Sequence, residues 1–186
     1  MAAFEEIYSY GFQAASLTNI LKSTGATKGA LYHHFKSKKE LGYAVLDEVI
    51  WPSYQSSWID PLKSSDDPIT TMTNLLLGSV EQMTDEDVFR GCPLNNLAQE
   101  MSPIDPDFRE RIRQAYGEWQ LELEQAFERA KKQGNVEKDM DSKSVALLLV
   151  ASIGGFMGMA KNMQSVDILT CCVKGLIDRM EASRPN

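Results

Sequence analysis

The chain has 186 residues, 43% of them hydrophobic and 24% charged, and 19 basic against 26 acidic side chains give a formal net charge of −7. That sum excludes a general polyanion binder of the histone or ribosomal kind, and the ordinary apolar fraction excludes a disordered chain. Three cysteines, Cys92, Cys171 and Cys172, are too few for the disulfide framework of a small secreted domain. Glu5 and Glu6 interrupt the first apolar residues, so no signal peptide is expected, and the chain reads as cytoplasmic with reduced thiols.

Apolar residues recur every three to four positions nearly throughout, and no stretch alternates in the manner of a strand, so an all-α fold of about nine helices is predicted. The first helix runs from about Ala2 to Tyr10 and ends at Gly11; the second starts at Ser16, a good N-cap, and stops at Gly25. The third runs from about Lys28 to Phe35. The fourth opens on Ser37-Lys-Lys-Glu40, the pattern of a capping box, and Pro52 is expected to kink or end it.

Residues 61 to 68 read as a loop, after which Asp67-Pro68 opens a fifth helix carrying Met72, Leu75, Leu76 and Val80. A short helix is expected from Asn95 to Met101. Asp105-Pro106 opens the longest helix, whose stripe Phe108, Ile112, Ala115/Tyr116, Trp119, Leu123, Ala126/Phe127, Ala130 defines one buried face closing at Gly134. Two more helices span about Ser142 to Asn162 and Ser165 to Ala182.

The segment from Ser144 to Ala160 holds 17 residues without a charge. It falls short of the ~20 that a membrane span needs and has no similar neighbour, so a buried helix is the reading rather than a membrane segment. Gly154, Gly155 and Gly158 would let another helix approach closely. With Leu169, Cys172/Val173, Leu176, Ile177 and Met180 on the last helix, this surface suggests a homodimer through a four-helix bundle of the last two helices. A chain of this length is also able to bury these faces by itself.

The charge is unevenly spread. Residues 16 to 39 carry five lysines (Lys22, Lys28, Lys36, Lys38, Lys39), both histidines and no acid, which leaves a balance of −12 elsewhere. This +5 island coincides with SLTNILKSTGATKGALYHHF, two short helices joined through Gly25 with the length of a helix-turn-helix. Leu17, Ile20, Leu21, Leu31 and Phe35 are its expected core. Thr27, Lys28, Gly29, Tyr32, His33 and His34 remain for the start and outer face of the second helix, where donors, acceptors and rings read base edges in a major groove and Gly29 leaves room for close approach. Ser16 and Thr18 suit phosphates at the N-terminus of the first helix, and Lys38 is a further phosphate candidate. The alternative is a solvated lysine face.

Residues 27 to 41, TKGALYHHFKSKKEL, together with the Phe4 to Glu48 pattern F-x6-GF-x3-SL-x2-I-L-x3-G, resemble the tetracycline-repressor (TetR) family of bacterial transcription regulators. The resemblance implies a homodimer whose N-terminal domain, residues 1 to 48, binds a palindromic double-stranded DNA operator. Residues 49 to 186 would then bind a small effector that releases the DNA, and would form the dimer. It also implies that Ser16 and Thr18 sit on phosphates, that Thr27, Lys28, Gly29, Tyr32 and His33 line the groove side, and that Lys38 closes on the backbone. The family's basic arm before the first helix is missing ahead of Met1, and Asn19 stands where an acid is common.

Residues 90 to 112, RGCPLNNLAQEMSPIDPDFRERI, resemble a Gly-Cys branch of the family in which some relatives answer electrophiles or oxidants. Cys92 is thus either a sensing thiol, with Arg90 near it to favour the thiolate, or a buried structural cysteine. An effector pocket is expected among Trp51, Tyr54, Trp58, Met83, Phe89, Cys92, Trp119 and Phe156, residues that equally suit core packing. Cys171 and Cys172 are expected in the core or an interface. No cofactor or metal site is expected, since His33-His34 lacks the spacing of a helical metal pair, and no nucleophile–base motif points to an enzyme. The main reading is a ligand-responsive repressor; the alternative is a thiol-based or small-molecule sensor with reduced DNA binding.

Overall fold

The computed structural model describes residues 1–185 and contains helices and connecting segments, with no strand among the described residues. The helices are α1 (Ala2–Tyr10), α2 (Leu17–Thr24), α3 (Lys28–His34), α4 (38–63), α5 (Pro68–Gln82), α6 (Asp85–Arg90), α7 (Pro93–Met101), α8 (Pro106–Gln133), α9 (Ser142–Met163) and α10 (Val166–Glu181). Every expected helix is present. The additional short α6 closes a capping box that the sequence reading passed over: Thr84 accepts the Asp87 N–H at 3.2 Å and the Asp87 carboxylate accepts the Thr84 N–H at 3.0 Å.

Pro52, expected to kink or end α4, does not end it, and residues 61–63 are helical rather than loop. The reason lies in two widened π turns, Leu46–Ile50 and Gln55–Ile59, each immediately before an X-Pro pair. Trp51 N–H reaches the Leu46 carbonyl and Asp60 N–H reaches the Gln55 carbonyl, five residues back. A proline lacks the N–H and its ring crowds the carbonyl four residues earlier, so widening the turn absorbs the ring without breaking the helix.

By packing, the chain forms two compact units: Met1–Ser53 with Pro93–Gln114, and Tyr54–Cys92 with residues from Ala115 onward. This differs from the expected cut at residue 48, because α7 and the start of α8 pack with the N-terminal helices. In the first unit, Phe12 (5% exposed) sits edge-on to Phe108 at 4.9 Å, and both lie over Gly42. A Cβ on Gly42 would stand 2.4 Å from Phe12 and 2.8 Å from Phe108, so only glycine fits. The Glu100 carboxylate accepts the Phe12 and Gln13 N–H groups, each at 2.8 Å, and fixes the turn after α1.

The expected helix-turn-helix core is only partly correct. Ile20 is buried, but Leu17, Leu21, Leu31 and Phe35 are half-buried. Leu21, Leu31 and Phe35, with Ile20, line an open cleft of about 460 Å³ bounded by Met1, Ala2 and Ala3 at the start of α1 and by Leu41 and Val45 of α4. The fully packed positions are instead Ile7, Phe12, Ala15, Ile20, Leu41 and Val45.

The second unit is built on the later part of α8. Trp119, Leu123, Ala126, Phe127 and Ala130 are all at most 2% exposed, as the stripe predicts. α9 packs on α10; Ala146, Leu149, Ile153 and Ala160 are buried on the first, and Leu169, Val173, Leu176 and Met180 on the second. By length and composition α9 would also suit a membrane, with a mean hydropathy of 1.6, but those α9 residues are used in the protein core. Its other side leaves Leu147, Leu148, Met159 and Met163 about half exposed, with nothing within 4 Å of a Cβ on Gly155 or Gly158. Cys171 is exposed and Cys172 half-buried, so of the two places expected for them, core or interface, neither lies in the packed core.

Candidate nucleic-acid interface and aromatic cluster

The recognition element is assembled from local rules. Ser16 caps α2 by accepting the Asn19 N–H at 3.4 Å, Gly25 turns the chain at φ 68°, and Thr27 caps α3 by accepting the Ala30 N–H at 3.1 Å. Thr24 Oγ donates to the Ile20 carbonyl and accepts the Ala26 N–H, stiffening the turn. Ser37 caps α4 as expected, but the reciprocal bond shifts by one residue: Glu40 accepts the Lys36 N–H at 2.8 Å, not that of Ser37.

Thr18, Thr27, Lys28, Gly29, Tyr32 and His33 are exposed, and Ser16 and Lys38 are half-buried. Lys28 lies 5.9 Å from the Tyr32 ring centroid, so cation and ring share the outer face of α3. Lys38 is committed elsewhere. Its ammonium donates to the Gln13 carbonyl at 2.9 Å and lies 5.2 Å over the Phe12 ring. Lys39 is bound to Asp105 at 2.7 Å. Of the five lysines, Lys39 alone is ion-paired among the described residues; Lys38 is hydrogen-bonded to a carbonyl, and the ammonium groups of Lys22, Lys28 and Lys36 have neither kind of bond.

Glu6 was missed by sequence reasoning. Its carboxylate accepts the Ser16 N–H at 2.9 Å and the Asn19 side-chain amide at 3.0 Å. This explains Asn19: an acid there would set two carboxylates against each other at the start of α2. It also places a negative charge beside the expected Ser16 phosphate contact.

Beneath the recognition element lies Asp105, 2% exposed. It accepts from Lys39, from the Tyr43 hydroxyl at 3.0 Å and from the Phe108 N–H at 2.9 Å. Burial alone would raise its carboxyl; the Lys39 ammonium, the Phe108 N–H and the Tyr43 hydroxyl outweigh it and hold the pKa at about 2. Tyr43 is pushed up to about 12, by burial first and then by Asp105. The Asp-Pro helix start was legible; the partners Lys39 and Tyr43, more than 60 residues earlier, were not.

Among the expected effector residues, direct contacts join Tyr54, Trp58, Cys92 and Trp119. The Tyr54 and Trp58 rings each lie 5.7 Å from that of Trp119, and the Tyr54 hydroxyl lies 2.9 Å from Cys92 Sγ. Cys92 is 8% exposed. Arg90 pairs with Glu86 at 3.2 Å. Met83 and Phe156 are half-buried, and Trp51 is half-buried in the first compact unit. Phe89 is 60% exposed, because α6 turns Val88 inward and Phe89 outward. Tyr116, missed as a member, is held well above the ordinary phenol range by burial first and by Cys92 second.

Comparison with known proteins gives two family matches along the chain. The pattern of the tetR family of bacterial regulatory proteins matches residues 1–45, and that of the tetracyclin repressor-like C-terminal domain matches residues 68–175. An uncharacterized HTH-type transcriptional regulator in the lacX 3' region of Lactococcus lactis subsp. lactis is 31% identical over 63% of this chain and 60% of its own. The transcriptional regulator AcuR of Cereibacter sphaeroides is 28% identical over 78% of this chain and 66% of its own. The chain thus spans three-fifths to two-thirds of the length of these relatives. A cysteine mutant of the TetR family regulator CifR, solved with 26-bp operator DNA, has the same fold, with a TM-score of 0.81 at 20% identity over 95% of this chain and 92% of that one. On the two matched patterns, which together cover most of its length, the chain belongs to the TetR family.

Proposed function

We propose that this protein is a ligand-responsive transcriptional repressor, located in the cytoplasm, that binds a palindromic DNA operator as a homodimer and is released by a small-molecule effector. The observation that carries this is the outer face of α3. Thr27, Lys28, Gly29, Tyr32 and His33 are exposed together, on a cap and turn that fix the helix, beside unpaired Lys22 and Lys36. Two such helices, spaced about one DNA turn apart, read two half-sites. The relative crystallised on operator DNA supports the partner. The uncharged outer side of α9, with Leu147, Leu148, Gly155, Gly158 and Met159, supports the dimer. An effector acts by preferring a dimer whose helix spacing no longer matches the groove. A mobility shift of the full chain on the intergenic DNA upstream of its own gene tests the reading; no specific complex at moderate salt rejects it.

A second reading assigns Cys92 a sensing role, as in the Gly-Cys branch. Its support is the contact of 2.9 Å between the Tyr54 hydroxyl and Cys92 Sγ, in which either group can donate; with the hydroxyl as donor it would stabilise a thiolate. Mass spectrometry after mild electrophile treatment decides: preferential labelling of Cys92 over exposed Cys171 supports it, and labelling of Cys171 alone removes it.

A further inference from the structure

The Trp119 indole is 2% exposed, and its Nε1 donor, shut off from solvent, has no hydrogen-bond partner among the described residues. Buried indole donors nearly always find an acceptor. A donor held without one in a well-packed helix stands ready for an acceptor brought from outside.

The surroundings define what that acceptor is. Tyr54 and Trp58 present aromatic rings 5.7 Å from the Trp119 ring, and both are only half-buried, so this wall reaches the surface on their side. Polar groups beside these rings include the Tyr54 hydroxyl, the Cys92 thiol and the Tyr116 phenol, which burial keeps protonated. A carbonyl oxygen on a flat aromatic body suits both the single N–H and the rings.

We infer that Trp119 Nε1–H is the hydrogen-bond donor for an aromatic carbonyl compound held against Tyr54 and Trp58. This rests on the effector-responsive reading above and names the chemical class of the effector.

The test compares benzophenone with diphenylmethane, which replaces the carbonyl by a methylene, on the full chain. Benzophenone binds at least about tenfold tighter, and Trp119→Phe brings the ratio to about one while leaving diphenylmethane affinity within about twofold. In wild-type ¹H–¹⁵N spectra, benzophenone and not diphenylmethane moves the Trp119 indole resonance downfield. Trp51→Phe and Trp58→Phe assign that resonance by elimination, so the test survives a Trp119→Phe chain that fails to fold. Equal affinity for the two probes, no benzophenone binding, or movement of the Trp51 or Trp58 resonance instead overturns the inference. A mobility shift run in parallel separates the two claims. An operator complex without probe discrimination overturns the inference alone, and discrimination without an operator complex overturns the regulator reading alone.

Discussion

The Lys39 ammonium and the Asp105 carboxylate, 66 positions apart in sequence, meet at 2.7 Å with the acid buried and the base largely exposed. The pair fastens the first turn of α4 to the start of α8, and Tyr43 joins it one turn further along α4. A lysine that the sequence assigns to the basic island is thereby a structural bolt.

This bolt makes stability depend on acid. With a folded pKa of about 2 against about 3.9 unfolded, the Asp105 contribution is complete above about pH 4 and is lost as pH falls from there through about 2. Asp105→Asn is expected to cost about 1–3 kcal/mol at pH 7, since a buried charged acceptor of several donors is replaced by a neutral one. In thermal unfolding, the gap between wild type and variant closes between about pH 4 and 2. A gap undiminished at pH 2 contradicts the assignment.

Gly42→Ala drives a methyl group into Phe12 and Phe108. The expected loss is about 1–3 kcal/mol in urea unfolding, because both rings are packed and neither has free space to retreat into. Gly78→Ala on α5, where nothing lies within 4 Å, is the control, and is expected to gain about 0.5–1 kcal/mol from helix propensity.

On the DNA-facing side, Lys28→Ala and Tyr32→Ala are expected to weaken operator binding by about 10–100-fold, with stability unchanged within about 0.5 kcal/mol. Lys38→Ala behaves differently. It removes the bond to the Gln13 carbonyl, so its binding defect comes with a lowered unfolding midpoint. With Lys38 and Lys39 committed to the protein, the salt dependence of binding reflects Lys22, Lys28 and Lys36, at a log–log slope of about −0.9 per phosphate contact. Titration of binding against salt reads this directly.

Leu148→Glu and Gly155→Arg on the open side of α9 are expected to leave the monomer folded, since Leu148 is 53% exposed and Gly155 has no neighbour within 4 Å. Under the homodimer reading each yields a monomer in light scattering behind size exclusion. A dimer retained by both variants moves the interface elsewhere.

What the sequence made legible was local. Ser16, Ser37 and Asp67, each read as a cap, do cap a helix through the N–H three residues on; Thr27 and Asp141 do the same without having been singled out as caps. The α8 stripe was legible because a single helix periodicity carries it. Pro52 and Pro61 misled because their disruption is absorbed by a π turn, which has no fixed signature in residue type. Leu31 and Phe35 misled because apolar character does not tell packed core from the lining of an open cleft. Glu6, Glu100 and Asp105 escaped because each acts on a segment distant along the chain. Trp119 was named for its bulk alone; its unanswered donor is a property of the folded surroundings.

The first compact unit has a consequence for the order in which the chain is made. Its two pieces are separated by residues 54–92, and Phe12, Gly42 and Lys39 find Phe108 and Asp105 only in the second piece. A ribosome that has released the whole basic island has therefore not yet released what holds it in shape. The nascent recognition helix waits for some sixty further residues, and for the closure of the intervening loop, before its scaffold is complete. A fragment ending near residue 48 would carry every DNA-facing side chain and lack the buried acid and ring that fix the helix behind them.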